Sequence, residues 1–378
     1  MRLATVDPAD ARAVLRGLRD AVLGAGPALA LGAAHDREPG GANGLPAEVP
    51  AGTAVVVTTS GSTGYPKSVA LSRSALTASA LATAERIGEG AWLLALPPGY
   101  IAGVQVLVRS LVAGREPAIL SGVFSASAFA AAAASMASSV GGTPVPTFTS
   151  LVPAQLQTVL DYPAATRMLA GFAAVLVGGQ ALAPALAARA ADAGVRIVRT
   201  YGSSETAGGC VYDGVPLEGV GVRIVHAEVQ LSGPTLADGY LGDPARTDAA
   251  FIRDPDGTRW YRTGDAGTFD GRVRVTGRLD NVLVSGGVNV SLDRVERAVR
   301  SIAGLEDAVV VAVPDERWGQ ASVVVTAGSA DLARVRAVVE DELGKPARPR
   351  EIMHLDPMPL LLSGKPDRTA IRARAAGA

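Results

Sequence analysis

The stretch between residues 58 and 67 constrains the fold more than any other part of this chain, because Gly, Ser and Thr there separate two apolar segments. The segments at 54–58 and 68–71 are rich in Val and Ala and have the length of strands. The small residues between them let backbone N–H groups approach a polyphosphate. A Walker loop is excluded, since Pro66 takes the place of the Gly that precedes its Lys. We therefore predict a β-hairpin with a phosphate-binding tip, formed by Thr59, Ser60, Gly61, Ser62, Thr63, Gly64 and Lys67.

Lysine is scarce in this chain. Only Lys67, Lys345 and Lys365 occur among 35 Lys and Arg residues. A chain biased toward Arg keeps a Lys where a slim point charge is needed and a guanidinium fork does not fit. Lys67 and Lys365 both lie in Gly/Ser-rich loops, which predicts phosphate chemistry for both, whereas Lys345 is assigned no role.

Length and composition bound the class of protein. With 378 residues, 48% of them apolar, the chain predicts at least two domains. A net charge of -1 and the lack of a basic block argue against nucleic acid and membrane surfaces as partners. No apolar run has the length of a bilayer span, and the first ten residues do not read as a signal peptide. One Cys and three scattered His exclude an internal disulfide and a His/Cys metal site, so we expect a cytoplasmic enzyme.

The pattern of predicted strands and helices changes twice along the sequence. Apolar strands first alternate with helices, which predicts α/β layers with mostly parallel strands. The strands are expected at 92–96, 118–120, 173–177 and 196–199, and the helices at 74–87, 103–113, 125–137 and 183–193. After about residue 210, short β runs broken by turns predict a β-rich subdomain. From residue 281 we expect a compact α+β unit with a strand, helices at 291–302 and 331–343, and strands at 308–313, 321–326 and 351–356.

Five ordered segments point to a known family. They are residues 58–72, Tyr201-Gly202-Ser203-Ser204-Glu205-Thr206, Tyr261-Arg262-Thr263-Gly264-Asp265, Gly277-Arg278-Leu279-Asp280 and Gly364-Lys365-Pro366-Asp367-Arg368. In this order they resemble the motifs of the adenylate-forming superfamily of acyl-CoA synthetases, peptide-synthetase adenylation domains and luciferases. Ser204 departs from the pattern, where the family usually has Thr. The resemblance covers about residue 54 to the end.

The resemblance implies two domains that meet at a hinge. We expect a large N-terminal domain of α/β layers with a β-rich subdomain at residues 1–279, and a small mobile C-terminal α+β domain at 280–378, with Asp280 as the hinge. Only 57 residues precede Thr58, whereas most family members carry roughly 100 more there. The first subdomain is therefore expected to be trimmed.

The resemblance also implies chemistry for single residues. ATP, Mg²⁺ and a carboxylic acid would form an acyl-adenylate, which CoA then attacks. Lys365 would bridge the acid and the α-phosphate, Ser204 would contact that phosphate, and Glu205 would hold Mg²⁺. The loop from Thr59 to Lys67 would bind the β- and γ-phosphates. The remaining nucleotide and CoA contacts would come from Gly178, Gly179, Gln180, Tyr201, Gly202, Ser203, Asp265, Arg278 and Gly287.

The sequence says less about the identity of the carboxylic acid substrate than about the nucleotide. The short N-terminal region and the segment 150–156 resemble those of o-succinylbenzoyl-CoA synthetases of menaquinone biosynthesis. Plausible pocket walls are Tyr100, a helix at 150–156 and Gln180, with a cation such as Arg109 near a second carboxylate. Another acyl- or aryl-CoA ligase, an adenylation domain that loads a carrier protein, and a nucleotide-binding regulator without turnover remain open. A homo-oligomer is possible.

Overall fold

The computed structural model describes residues 1–24, 26–31, 45–60, 66–136, 139–285, 287–361 and 365–377. The predicted phosphate contacts Gly61, Ser62, Thr63 and Gly64 lie outside these residues.

Eleven α-helices occur in the described residues. They are α1 (Ala11–Leu23), α2 (Arg73–Ile87), α3 (Ile101–Val112), α4 (Ala126–Ala134), α5 (Pro153–Leu160), α6 (Pro163–Ala170), α7 (Pro184–Asp192), α8 (Pro244–Ala250), α9 (Leu292–Arg300), α10 (Leu332–Leu343) and α11 (Arg368–Ala376). Two single 3₁₀ turns cover Ser204–Thr206 and Lys345–Ala347.

The strands of the described residues fall into two stretches of the chain. The first stretch has β1 (Leu3–Thr5), β2 (Ala28–Leu31), β3 (Thr53–Ser60), β4 (Pro66–Ser72), β5 (Ala91–Leu94), β6 (Ala118–Ile119), β7 (Ser139–Val140), β8 (Thr143–Pro144), β9 (Thr147–Leu151), β10 (Ala174–Val177), β11 (Ile197–Ser203) and β12 (Gly208–Tyr212). The second has β13 (Val215–Pro216), β14 (Gly221–Val225), β15 (Glu228–Ser232), β16 (Gly239–Tyr240), β17 (Phe251–Arg253), β18 (Arg259–Phe269), β19 (Val273–Arg278), β20 (Val282–Ser285), β21 (Val288–Ser291), β22 (Val309–Asp315), β23 (Gly319–Thr326) and β24 (Glu351–His354).

The large N-terminal domain is built from layers. One sheet has the order β1-β2-β3-β4-β16, and a second has the order β13-β12-β11-β10-β9-β5-β6, in which β11, β10, β9, β5 and β6 pair in parallel. Along β10, Ala174 and Leu176 face one apolar core while Val175 and Val177 face another. Strands buried on both faces read as continuous apolar runs, which is why these strands were visible in the sequence.

The predicted phosphate hairpin is confirmed in its two strands. β3 and β4 pair antiparallel, with Thr59 opposite Lys67 and Ser60 opposite Pro66. Directly after β4, Ser72 caps α2 by accepting a hydrogen bond from the backbone N–H of Ala75 at 3.1 Å. The hairpin is therefore anchored between a sheet and a helix, which fixes where Lys67 stands.

The later part of the chain forms two further sheets. The β-rich subdomain is confirmed, with the antiparallel order β14-β15-β18-β17 and β19 beside β18. The small C-terminal domain has the order β21-β20-β23-β22, with β24 beside β23. Helices α9 and α10 contribute to the apolar cluster on one face of this sheet and α11 to the cluster on the other. Within the described ranges, no helix combines the length and the apolar character needed to cross a membrane.

One local expectation was wrong, and four helices of the described residues were not predicted, namely α1, α6, α8 and α11. Residues 150–156 are not one helix, because Ser150 and Leu151 belong to β9 and the helix begins at Pro153. Proline has no N–H to donate and is accepted at the first helical position, so it marks the start of α5. The overlooked α11 begins after the Asp367 cap.

Candidate active site

The candidate site lies where parallel strands of the second sheet end. The carboxyl ends of β10 and β11 lead into Gly178 and into the turn Ser204–Thr206, and the β3–β4 hairpin approaches from the first sheet. Parallel strands present their carboxyl ends at one edge of a sheet, which is where ligands bind in open α/β folds.

Glu205 is the buried centre of this site, with 2% of its surface exposed. It forms an ion pair with Nζ of Lys67 and accepts a hydrogen bond from the Tyr240 hydroxyl at 2.9 Å. Burial alone would raise the pKa of this carboxyl, but the Lys67 ammonium and hydrogen bonds within the turn together outweigh burial, and the pKa is lowered. Glu205 is therefore ionised and held by one lysine ammonium and one tyrosine hydroxyl.

The turn that carries Glu205 is fixed by several backbone contacts. The Ser203 N–H donates to Oγ1 of Thr206 at 2.9 Å, and the Ala237 N–H donates to the Glu205 carbonyl at 2.8 Å. Ala207 closes the turn with a φ of 50°, a left-handed conformation that non-glycine residues rarely adopt. Its carbonyl accepts a 3.1 Å hydrogen bond from the buried Ser79 hydroxyl. The carboxylate is thus presented from a rigid turn.

Two buried hydroxyl groups near this turn have no hydrogen-bond partner in the described residues. They are Oγ1 of Thr59 on the hairpin and Oγ of Ser203. Unpartnered buried polar atoms are rare in proteins. These hydroxyl groups and the Glu205 carboxylate are oxygen donors, the type of ligand that suits Mg²⁺ held by one protein carboxylate and by phosphates. In the part of the chain that the structure describes, no group of three or more His, Cys, Asp or Glu residues could hold a separate metal ion.

A second cluster surrounds Asp265. The Tyr201 hydroxyl donates to Oδ2 of Asp265 at 2.6 Å, and Nη1 of Arg278 donates to Oδ1 at 3.2 Å. Desolvation raises the pKa of Asp265, while these two partners oppose that shift. The cluster joins three residues that the sequence predicted to bind the nucleotide. The hydrogen bond between Tyr201 and Asp265 was not anticipated.

Arg278 also reaches the predicted hinge. Its Nε and Nη2 donate to the two carboxylate oxygens of Asp280, both at 3.0 Å. This paired hydrogen bonding lowers the pKa of Asp280. The backbone N–H of Arg278 donates to Oδ2 of Asp293, a residue of α9, at 2.7 Å. Arg278 therefore connects Asp265 with Asp280 and with the first helix of the small domain.

Lys365 reaches the large domain. A Cβ built on Gly179, whose φ is +81°, would lie 3.3 Å from Cε of Lys365 and 3.9 Å from its Nζ. Lys365 is exposed over much of its surface, but surrounding protein atoms lower the pKa of its ammonium group, and the Glu205 carboxylate opposes the shift. The two lysines singled out by their scarcity thus both stand near Glu205.

The other predicted residues differ in how closely they join the site. A side chain on Gly178 would overlap the Thr200 hydroxyl, and one on Gly202 would overlap the Gly208 carbonyl, so both positions need glycine. Ser204 is buried in the 3₁₀ turn, and Gln180 is half-buried just after Gly179. Gly287 lies at the open tip of the β20–β21 hairpin, with nothing within 4 Å of a built Cβ.

Arg109 is more deeply buried in the large domain than a residue that lines an open pocket would be. It is 6% exposed, its guanidinium stacks 5.0 Å from the Trp92 ring centroid, and Nη2 donates to the Tyr212 hydroxyl at 3.2 Å. Its Nε has no partner, and no carboxylate of the described residues pairs with it. Burial lowers its pKa. A buried cation without a counter-charge is costly, which marks Arg109 as a site where an anion would be stabilised.

The sequence reading missed two further contributors, Tyr240 and Glu228. The Tyr240 ring also lies 5.2 Å from Nζ of Lys67, and Glu228 accepts hydrogen bonds from Arg262 and from the Gly264 N–H beside Asp265, both at 3.0 Å. Tyr240 belongs to a Gly-Tyr pair that fits the family pattern, which was the available signal. Glu228 follows a short turn and carried no distinguishing pattern.

Comparison with known proteins identifies the family of this chain. The AMP-binding enzyme family model matches residues 10–267, and the model of the AMP-binding enzyme C-terminal domain matches residues 294–365. The chain belongs to the AMP-binding enzyme family.

Several relatives within the family share a name. A probable 2-succinylbenzoate–CoA ligase of Mycobacterium tuberculosis is 42% identical over 337 residues, which are 86% of this chain and 85% of that protein. The 2-succinylbenzoate–CoA ligase of Enterococcus faecalis is 30% identical over 82% of this chain and 67% of its own length. An Escherichia coli MenE structure with bound OSB-AMS has a TM-score of 0.71 at 28% identity, covering 88% of this chain and 71% of that one.

Proposed function

We propose that this protein is an ATP-dependent acid–CoA ligase that converts 2-succinylbenzoate into its CoA thioester, as a cytoplasmic step of menaquinone biosynthesis. The observation that carries the assignment is the 42% identity, across 86% of the chain, to a probable 2-succinylbenzoate–CoA ligase. The convergence of Lys67, Glu205 and Lys365 supports the ATP-dependent chemistry.

In the first half-reaction a carboxylate oxygen of the acid attacks the α-phosphorus of ATP, and pyrophosphate leaves. Two anionic groups must approach each other, so catalysis depends on charge neutralisation and in-line alignment. Lys365 bridges the attacking carboxylate and the α-phosphate. Ser204 contacts that phosphate, while Lys67 and the hairpin residues from Thr59 onward hold the β- and γ-phosphates.

The ion pair of Glu205 and Lys67 defines how the site receives the nucleotide. Phosphates compete with Glu205 for the Lys67 ammonium, and a carboxylate released from its lysine is available to a hard cation. When bound there, Mg²⁺ supplies charge neutralisation to the phosphates. Glu205 holds the ion, and the unpartnered Thr59 hydroxyl offers a further oxygen.

The adenosine is held by the second cluster. Asp265 accepts hydrogen bonds from the ribose hydroxyls, and Arg278 keeps that carboxylate oriented. The ring of Tyr201 and the backbone of residues 178–180 border the base, with Gly202 and Ser203 beside them.

In the second half-reaction the CoA thiol attacks the acyl carbon, and AMP leaves. We infer that the domain boundary lies between residues 279 and 280, and that the small domain rotates there between the two half-reactions. Rotation would remove Lys365 from the site and bring the hairpin tip at Gly287 toward it. The absence of a Cβ at Gly287 leaves room for a narrow pantetheine arm.

The second carboxylate of the substrate requires a cation, and we assign Arg109 to it. The guanidinium is buried and lacks a carboxylate partner in the described residues. It lies on α3, about two and a half turns after Tyr100, one of the pocket walls expected from the sequence. An anion that reached Arg109 would satisfy its free Nε and offset the cost of burying the charge.

A substrate panel tests the assignment. With ATP, Mg²⁺ and CoA, 2-succinylbenzoate should exceed benzoate and octanoate in kcat/KM by at least about 10²-fold, because a monoacid leaves the buried cation unpaired. The Arg109→Met variant should raise KM for 2-succinylbenzoate at least about 10-fold and leave benzoate turnover unchanged.

Arg86→Met is the matched control, because Arg86 is exposed and contacts only the Tyr212 carbonyl, at 3.5 Å. It should change neither substrate's kinetics. Preference for a monoacid would overturn the substrate assignment and leave the ligase assignment standing. Thioester formed only on a carrier protein would overturn CoA as the acceptor.

A further inference from the structure

Glu296 in α9 is a buried carboxylate outside the nucleotide site. It is 7% exposed, yet each of its oxygens accepts more than one hydrogen bond or ion pair. Nη2 of Arg368 contacts both oxygens, at 2.9 and 2.7 Å, the Val310 N–H donates at 3.0 Å, and Arg300 pairs at 2.9 Å. The carboxylate thereby joins α9, β22 and the start of α11.

Arg368 lies three residues after Lys365, at the start of α11. The Leu361 N–H donates to the Lys365 carbonyl at 2.8 Å, and the Asp367 N–H donates to the Pro359 carbonyl at 2.9 Å. Asp367 then caps α11 by accepting from the Ala370 N–H at 3.0 Å. Residues 365–368, called here the Lys365 turn, are therefore tied by backbone hydrogen bonds to Pro359 and Leu361 and lead directly into α11.

We propose that Glu296, acting through Arg368, is a positioning residue for Lys365. The pair fixes the turn to the small-domain core, so that the ammonium group reaches the large domain beside Gly179. A long, flexible lysine gains accuracy only from the backbone that carries it, and a displacement of about 1 Å can cost about 10²-fold in rate. This inference rests on the proposed function, in which Lys365 acts in adenylation.

The test compares the two half-reactions in Glu296→Gln and Arg368→Lys. Glutamine keeps the shape of the side chain but not its charge. Lysine keeps a charge but loses the planar guanidinium, whose Nη1 also donates to the Val310 carbonyl at 3.1 Å. Both variants should lose about 10- to 10²-fold in kcat for acid-dependent ATP–pyrophosphate exchange, with KM for ATP unchanged. Thioester formation from supplied acyl-adenylate should stay within about 2-fold, because Lys365 is not used there.

Retained thioester formation also shows that each variant is folded. The matched control is Glu340→Gln in α10 of the same domain, which removes the ion pair of Glu340 with Arg348. It should leave both half-reactions unchanged. Equal losses in the two half-reactions, or no loss in either, would overturn the positioning role. Absence of exchange in the unmodified protein would instead overturn the proposed function.

Discussion

Glu205 in the large domain and Glu296 in the small domain are both buried carboxylates paired with cations, but their surroundings differ. Glu205 is held by one lysine and one tyrosine hydroxyl. Glu296 is held by two arginines and a backbone N–H. Arginine offers a rigid fork, whereas the lysine ammonium is a point charge on a flexible stem. The first arrangement can exchange partners when a ligand enters, and the second is suited to remain closed.

Lys365 is linked to both carboxylates. It lies three positions before Arg368, the partner of Glu296, and its pKa responds to Glu205. We therefore expect Glu205 to take part in ligand binding and Glu296 to position Lys365. Each can be altered without touching the other.

The largest effect is expected when the Lys365 side chain is removed. Lys365→Ala should lower acid-dependent pyrophosphate exchange by on the order of 10²- to 10³-fold or more, because a preorganised charge is lost in the transition state. Thioester formation from supplied acyl-adenylate should be largely retained. Equal loss in both half-reactions would show that Lys365 is structural. Lys345→Ala, in the same domain, is the control and should change neither.

The next largest effect distinguishes Glu205 from Glu296 by what their replacement does to activity and to the free energy of unfolding. Glu205→Gln should lower pyrophosphate exchange about 10²-fold and raise the Mg²⁺ concentration needed, because it removes an ionised oxygen ligand. Its free energy of unfolding should fall by less than that of Glu296→Gln, since Glu205 has one cationic partner whereas Glu296 has two arginines and a backbone N–H. Glu296→Gln should cost on the order of 3 kcal/mol. Equal stability losses in denaturant titrations would remove the distinction.

A smaller effect is expected when the domains are kept from rotating. Asp280→Pro fixes φ at the hinge and restricts Leu279, while both carboxylate pairs remain intact. Adenylate formation should be retained and thioester formation reduced about 10-fold or more. Asp280→Ala removes the contact with Arg278 without fixing φ, so it separates the two causes. Normal CoA transfer in the proline variant would contradict rotation about residue 280.

The smallest effect is a change with pH. Desolvation lowers the pKa of Lys365, and Glu205 opposes the shift. Because the protonated form acts, adenylation should decline as pH rises, starting at a lower pH than an ordinary lysine would give. Arginine remains charged, so Lys365→Arg should be slower but should lose this decline. An identical alkaline decline in both proteins would assign the titration to another group.

The sequence predicted the layered architecture because it rests on strands buried on both faces, such as Ala174–Val177, and on amphipathic helices. The boundary at Pro153 was misjudged because an apolar segment can continue from strand into helix without a change in composition. Helix α11 was overlooked because its Arg- and Ala-rich sequence has only two buried residues, Ile371 and Ala375.

The candidate site was predicted where single residues carry recognisable chemistry, as with Lys67, Glu205 and Asp265. The partnerships could not be predicted, because they join distant residues. Glu205 and Tyr240 are 35 positions apart, and Arg368 and Glu296 are 72 apart. Sequence spacing carries no signal for such contacts, so the support for Lys365 became apparent only in three dimensions.

Acid-dependent ATP–pyrophosphate exchange without any thiol tests the central claim most directly. The purified protein should exchange labelled pyrophosphate into ATP when 2-succinylbenzoate and Mg²⁺ are present, and omission of the acid should abolish exchange. Lys365→Ala should reduce it on the order of 10²-fold or more. ATP binding without exchange, for 2-succinylbenzoate and every other acid tried, would contradict the account and favour a nucleotide-binding regulator.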